Sequence, residues 1–463
     1  MPQSSPQSPP AGSAERVIRA PWVLPFSSRP DGEAADNTAP VGDSGDMIRD
    51  GAVAIADGTI LEVGAGQALA ERHPEAEQLN LDHHVLMPGL INAHGHSAMT
   101  LLRGSSEDAP LQAWLTEQIW PLEARWVDEA FCRDGIRIAM AEMIRAGITC
   151  FADMYYFPEI GAEEVKRAGM RAQIAFPVIE FPNAWSRDSE EGFHKGLGLY
   201  DQYRNDPFVD IAFGPHAVYS VTEPDLEKIL MYSEELDANI HIHLHENAAE
   251  LAENQSRYGT SGIRHLYDRG LLGPRLQAVH VTQITPDEIE LFAETNVQVV
   301  HCPTSNAKLA SGISPVTDLR QAGINVCLGT DGAASNNVLD LLAEARLASL
   351  LAKLEQSNAA ALPAHDALHM ATLGGATALG RAGQTGSLEP GKAADLIALD
   401  MQAIRHQPLY DPVAQVLHTS SGNSVSHVWV NGECLLDAGT LTRMDEQEIL
   451  HAARSWQQRI RPQ

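Results

Sequence analysis

Between residues 85 and 331 the chain alternates apolar strand-like stretches with amphipathic helical stretches about eight times. Strands are expected near 148–153, 171–178, 209–215, 239–244, 276–281, 297–301 and 324–328. The helices between them include a long one over 128–146 that Gly147 closes. Most of these strands are apolar along much of their length, as parallel strands buried on both faces are. The pattern predicts an α/β fold, a closed (β/α)8 TIM-like barrel, with a doubly wound open sheet as the alternative. Polar residues fall at the C-terminal ends of separate strands, where a barrel keeps its chemistry, and this favours the barrel.

The flanks differ. Residues 51–63 read as strand, Asp57-Gly58 turn, strand, and residues 426–436 as a hairpin around Asn431-Gly432. Each β segment is too short to stand alone. They are expected to pack together as a small β-sandwich domain made from both chain ends, over 15–84 and 386–445, with the barrel over 85–385 inserted between. A closing helix is expected over 446–463, and residues 1–14, rich in Pro and Ser, read as a disordered tail. The glycine pairs at 374–375 and 386–391 lack the spacing of a dinucleotide-binding loop and read as turns. A helix is expected over 333–354.

The chemistry concentrates at strand ends. His94 and His96 follow the apolar run 85–93, and in a strand residues i and i+2 face one side, so the two imidazoles aim at one point. Two buried structural histidines are the bland alternative for this pair taken alone. In the stretch His241 to Asn247, alternation puts His241, His243 and His245 on one side, and Glu246 lies just past the strand end, where a carboxylate can pass protons. His280 sits inside an apolar strand. Asp331 ends the run 326–331, where an unpaired buried carboxylate would be costly and metal or histidine pairing removes much of that cost. His94, His96, Asp331 and either His243 or His280 make a nitrogen and oxygen set suited to one Zn²⁺, with Fe²⁺ also compatible. The strand 208–214 holds no lysine to bridge a second metal.

Bulk properties narrow the partners. The formal net charge is -29, from 61 acidic and 32 basic residues, which disfavours nucleic acid and anionic membranes. No apolar stretch approaches a membrane span. Five scattered cysteines without a CxxC fit a reducing compartment, and no secretory signal is legible at the N-terminus, so a cytoplasmic protein acting on a small molecule is expected.

Five strings carry a family resemblance: 88–96 (PGLINAHGH), 99–104 (MTLLRG), 243–246 (HLHE), 301–309 (HCPTSNAKL) and 329–332 (GTDG). They resemble the amidohydrolase superfamily, in particular its cytosine-deaminase-like and chlorohydrolase-like branch, and are most similar to the 5-methylthioadenosine/S-adenosylhomocysteine deaminase group. The likeness spans nearly the whole chain. It implies that His94, His96 and His243 hold the metal with Asp331, that Glu246 shuttles protons, and that His280 lies near the metal-bound water or leaving group. It also implies that Glu123 binds ribose hydroxyls, that Trp114 lines the pocket near the 5′ substituent, that His216 reaches the substrate ring or sugar, and that Arg171 is a further contact. The implied reaction is hydrolytic release of ammonia from an adenine nucleoside, with guanine, pterin or chlorotriazine hydrolysis as the rival. A homodimer or homotetramer is expected by the same resemblance. Gly95 and Asn247 stand where the family commonly has Thr.

Overall fold

The computed structural model describes residues 13–27 and 47–460. Apart from Ser13 and Ala14, the expected N-terminal tail lies outside the described residues, as do the last three residues of the closing helix. In chain order, β1 (Arg16–Val23), β2 (Ile48–Ala56), β3 (Thr59–Ala65), β4 (Glu77–Asn80) and β5 (His84–Pro88) come first. Then come β6 (Leu90–Asn92), β7 (Ile148–Met154), β8 (Arg171–Val178), β9 (Val209–Pro215), β10 (Ile240–Leu244), β11 (Leu276–His280), β12 (Gln298–His301) and β13 (Val326–Leu328). Last are β14 (Leu396–Asp400), β15 (Val425–Val430), β16 (Glu433–Asp437) and β17 (Thr440–Leu441).

Strands β6 to β13 form one eight-stranded parallel sheet in sequential order. Its two edges meet. Ala93 N donates to Leu328 O at 2.9 Å and Asp331 N donates to His94 O at 3.1 Å, so the sheet curls into the barrel. Asn92 stitches the same seam, accepting from Thr330 N at 2.9 Å and donating to Thr330 Oγ1 at 2.8 Å. The strands approach so closely that a Cβ on Gly329 would lie 2.8 Å from the His94 Cβ. Along β10, Ile240, Ile242 and Leu244 join the core between sheet and helices, which leaves His241 and His243 for the interior.

The other nine strands form one open mixed sheet rather than two facing ones. It draws on both chain ends: β5 lies between β1, to which it is parallel, and β14, to which it is antiparallel. Alternation divides its side chains between two cores. Leu86, Leu396, Ala398 and Trp429 fill the sheet's own core, while Val85, Met87, Ile397, Leu399, Val428 and Val430 join the barrel's outer core.

Three local expectations are corrected. The run 85–93 is not one barrel strand: it breaks at Pro88-Gly89, and β5 belongs to the open sheet while β6 starts the barrel. Gly89 permits the crossing, because a Cβ there would sit 2.1 Å from Thr149 Oγ1. Gly374 and Gly375 are not a turn but part of the helix Leu373–Ala378. That helix packs against the base of the barrel, with Leu373, Ala376 and Leu379 against Ile91, Cys150 and Ala152, and a Cβ on Gly375 would meet Ile91 at 2.9 Å. The helix expected over 333–354 starts later, at Leu341, where Asp340 accepts hydrogen bonds from Leu342 N and Ala343 N.

The base of the barrel is tied to the open sheet by a buried ion pair. Arg171, the first residue of β8, places Nε 2.7 Å from Asp395 Oδ2 and donates Nη1 to Pro207 O at 2.7 Å and Nη2 to Asn431 Oδ1 at 3.2 Å. Asp395 also accepts from Asn431 N at 2.7 Å and Thr385 Oγ1 at 3.1 Å, so the buried carboxylate is fully paired. Removing one partner of such a pair strands the other charge. Arg171→Leu is expected to lower stability by about 3–5 kcal/mol, read as a lower urea midpoint, with kcat/KM of the folded fraction unchanged.

Candidate metal centre and substrate pocket

The seam places the first two histidines beside the aspartate. Asp331 Oδ1 lies 3.3 Å from both His94 Nε2 and His96 Nε2. His94, His96 and Asp331 each offer one ligand atom within 4.8 Å of the others, and His94, His243 and His280 form a second such group. Four histidines and one carboxylate thus converge at the C-terminal mouth of the barrel, sharing His94.

Each imidazole is turned by a hydrogen bond to its Nδ1. That atom is 2.6 Å from Met154 O in His96, 2.7 Å from His216 O in His243, and 2.8 Å from Asn306 Oδ1 in His280. A carbonyl can only accept, so these Nδ1 atoms carry the proton and the Nε2 lone pairs face inward, as metal-bound histidines require. His94 Nε2 is buried with no hydrogen-bond partner among the described residues, which a metal ion would supply. The donor set, nitrogen-rich with one carboxylate, fits a single zinc ion per chain.

Backbone geometry at the strand ends aims several of these groups. His280, Val281, His245 and Asp331 all have positive φ, between 46° and 75°. At His245 this bend turns the ring away from the centre, so that Nδ1 meets Gln283 O at 2.6 Å. Of the three alternating histidines, His241 and His243 on β10 and His245 just past it, only His243 belongs to a metal-competent group, while His241 lies behind His94.

Asp331 is held as a carboxylate. Burial would raise its pKa, but the neighbouring imidazoles, His94 first and then His96 and His280, outweigh burial and keep it well below the usual range. Its Oδ2 accepts from Ser305 Oγ at 2.6 Å and Ser335 Oγ at 3.0 Å. Glu246 behaves in the opposite way: burial, with the neighbouring Asp331 charge, pushes its carboxyl up to about 8. Its Oε2 lies 4.0 Å from His280 Nε2. Glu250 fixes this segment, accepting from His245 N at 3.0 Å and Glu246 N at 2.7 Å. Asn247 caps the helix Ala248–Tyr258 by accepting from Glu250 N at 2.9 Å, as a threonine there would. A Cβ at Gly95 would meet nothing closer than 3.6 Å, so glycine is not required there for space.

One pocket opens above these groups and also reaches Trp114, Glu123 and His216. Burial lowers His216 to about 4, so its ring is neutral. Trp114 starts a wide π-helical turn, Trp114–Ile119, which leads into the helix Trp120–Trp126 that carries Glu123. Glu123 Oε1 accepts from Tyr155 Oη at 2.7 Å, and burial raises its pKa. The mouth is apolar, lined by Leu111, Leu115, Ile119 and Phe181 among others. Arg171 does not reach this pocket: its guanidinium is spent on Asp395 at the opposite end of the barrel, which corrects the expectation that it contacts substrate. Sequence reading missed Tyr155, Ser305, Ser335 and Asn306. Tyr155 directly follows β7, and Ser305 and Asn306 lie within the string 301–309, so both positions carried a signal.

Residues 85–435 match the family model described as "Amidohydrolase family". The chain belongs to the amidohydrolase family. A second model, an imidazolonepropionase-like composite domain of bacteria, matches residues 51–76, within the open sheet. Among related amidohydrolases, the 5-methylthioadenosine/S-adenosylhomocysteine deaminase of Teredinibacter turnerae is 50% identical over 384 residues, covering 83% of this chain and 87% of that protein. The protein of that name from Saccharophagus degradans is 44% identical over 450 residues, covering 97% and 98%. A crystal structure of an adenosine deaminase from Xanthomonas campestris with bound zinc shares 40% identity at a TM-score of 0.92, covering 97% of this chain and 99% of that one. An atrazine chlorohydrolase from Arthrobacter aurescens, at 24% identity and a TM-score of 0.86, covers 95% and 99% and shares the fold.

Dialysis against a chelator is expected to abolish hydrolase activity, and one equivalent of zinc per chain to restore it. Metal analysis of the reconstituted protein checks the count, and two equivalents would contradict a mononuclear centre.

Proposed function

We propose that this chain is a zinc-dependent aminohydrolase that deaminates the adenine ring of 5′-methylthioadenosine, S-adenosylhomocysteine or both. The observation that carries the reading is geometric: Glu246, with Oε2 4.0 Å from His280 Nε2, stands beside a metal-competent cluster in one pocket that also reaches Trp114, Glu123 and His216. The names of the relatives and the zinc in the Xanthomonas campestris structure support it. Metal ligation is assigned to His94, His96, His243 and Asp331. Zinc bound there supplies Lewis acidity, which makes water a nucleophile at neutral pH.

The remaining steps belong to side chains. Glu246 gives a proton to ring N1, so the ring can accept the electron pair of the attacking water oxygen at C6. Asp331, kept anionic, accepts a proton from that water. Glu246 and His280 lie 4.0 Å apart and carry the proton on to the amino group, which leaves as ammonia. As the C6 carbonyl forms, the remaining proton of the added water returns to Glu246, so both carboxyl groups end as they began and the product is the hypoxanthine nucleoside. Glu123 accepts hydrogen bonds from the ribose hydroxyls, and Trp114 with the apolar mouth takes the thioether. His216, neutral and 4.8 Å from His243 between ring centres, faces the substrate ring or sugar.

We further assign the protein to the cytoplasm as a homodimer or homotetramer without nucleic-acid partners. Five free cysteines, four of them buried, and the charge of -29 support the compartment and the exclusion of nucleic acid. Among the described residues no helix is long and apolar enough to cross a membrane.

Deamination of 5′-methylthioadenosine, S-adenosylhomocysteine and adenosine, followed beside guanine, a pterin and a chlorotriazine, tests the reading. Turnover only of the last three would overturn it. Glu246→Gln is expected to lower kcat by about 10²–10⁴-fold with zinc content unchanged. Glu123→Ala is expected to lower kcat/KM for nucleosides by about 10- to 100-fold, the worth of hydrogen bonds to a charged group. An unchanged value would remove Glu123 from ribose binding.

A further inference from the structure

Three of the inward-facing histidines rest their Nδ1 on amide or backbone carbonyls, but His94 does not. Its Nδ1 lies 2.7 Å from Nε2 of a second histidine, His241, with the rings stacked at 5.0 Å between centres. An imidazole nitrogen can donate or accept, so this contact alone leaves the His94 tautomer open. If His241 donated to it, His94 would present an N–H rather than a lone pair to the metal.

The choice is made two residues further down the barrel. His241 Nδ1 lies 2.7 Å from Gln277 Oε1, and Gln277 Nε2 donates to Ala378 O at 2.7 Å. Ala378 O is a backbone carbonyl and can only accept, so the amide of Gln277 is fixed with its nitrogen toward Ala378 and its oxygen toward His241. Gln173 reinforces this orientation. Its Nε2 donates to Gln277 Oε1 at 2.7 Å, and its Oε1 accepts from Gln277 Nε2 at 2.9 Å and from Asn239 Nδ2 at 2.7 Å. An amide oxygen accepts, so His241 Nδ1 carries a proton. Neither partner of His241 is an anion, and its ring is fully buried, so a charged imidazolium there would be costly. The ring is neutral, its Nε2 is bare, and it accepts from His94 Nδ1. The His94 Nε2 lone pair is then left facing the cluster.

We propose that His241 and Gln277 are positioning residues that set the metal-binding tautomer of His94, through a buried hydrogen-bond chain anchored on the helix Leu373–Ala378 at the base of the barrel. The proposal rests on the metal centre assigned above. It gives His241, the first of the three alternating histidines, a use, and it gives a reason for the paired buried amides of Gln173 and Gln277 in the barrel interior.

The test measures zinc affinity by chelator competition, and the visible absorption of the cobalt-substituted protein, in four proteins: wild type, His241→Phe, His241→Gln and Gln277→Leu. His241→Phe keeps a stacked ring and removes the acceptor. His241→Gln restores an acceptor toward His94 and a donor toward Gln277. Zinc affinity is expected to fall about 10- to 100-fold in His241→Phe and Gln277→Leu, the usual worth of such outer hydrogen bonds, with an altered cobalt spectrum. His241→Gln is expected to stay within about threefold of wild type, by the same hydrogen-bond logic. Wild-type affinity in both His241→Phe and Gln277→Leu would overturn the proposal, as would equal losses in His241→Phe and His241→Gln, which would make the role one of packing. If His241→Phe fails to fold, Gln277→Leu, which alters no group in contact with the cluster, decides alone. A wild-type protein that takes up no zinc would instead overturn the metal centre itself, so the two failures are distinguishable.

Discussion

The backbone bonds between β6 and β13 do two jobs at once. Ala93 N to Leu328 O and Asp331 N to His94 O close the barrel, and the second joins two residues of the metal cluster through their own main chains. Register at that seam is therefore also the geometry of the site. A slip of one residue would reverse the faces of His94 and Asp331 together. Gly329 allows the approach and Asn92 locks it from both sides of its amide. The cost of bringing a carboxylate into a dry barrel is met by serine hydroxyls and imidazoles that the same closure delivers.

Electrostatics then divides two acids that are neighbours. Asp331 is surrounded by donors and stays charged, while Glu246 has little to stabilise an anion and keeps its proton. One site thus holds a base and an acid at the same pH, which is the condition for adding water to a ring and expelling an amine. The difference lies in partners rather than residue type, so neither role could be read from composition.

Much of the architecture was legible because it follows from period. Two-residue alternation identified β10 and its histidines, and repeated strand–helix spacing identified the barrel. What stayed hidden depends on contacts between distant segments. Pro88-Gly89 is a local turn signal inside 85–93, but the reason for a glycine there is distant, since the residue that forbids a side chain is Thr149. Gly374-Gly375 carries a turn-like sequence, yet it lies in a helix, and Gly375 is where Ile91 leaves no room for a side chain. Alternation could not rank His241, His243 and His245, because the left-handed backbone at His245 breaks the period just where it matters. Arg171 was expected as a substrate contact by family resemblance alone. Its end of the strand is the base, and its partner Asp395 lies in a segment over two hundred residues away, beyond any local signal.

The pairing of β5 with β14 has a further consequence, for biosynthesis. Pro88 finds its partner in Leu396, so as the chain leaves the ribosome β5 emerges with one edge open and must wait for almost the entire barrel to follow. Over that interval the nascent protein exposes an apolar strand edge, the kind of surface that recruits holding chaperones or pairs with another chain. The final docking of the C-terminal strands is therefore what completes the sheet, and a polypeptide truncated before residue 396 leaves Val85 and Met87 without their neighbours Ile397 and Leu399.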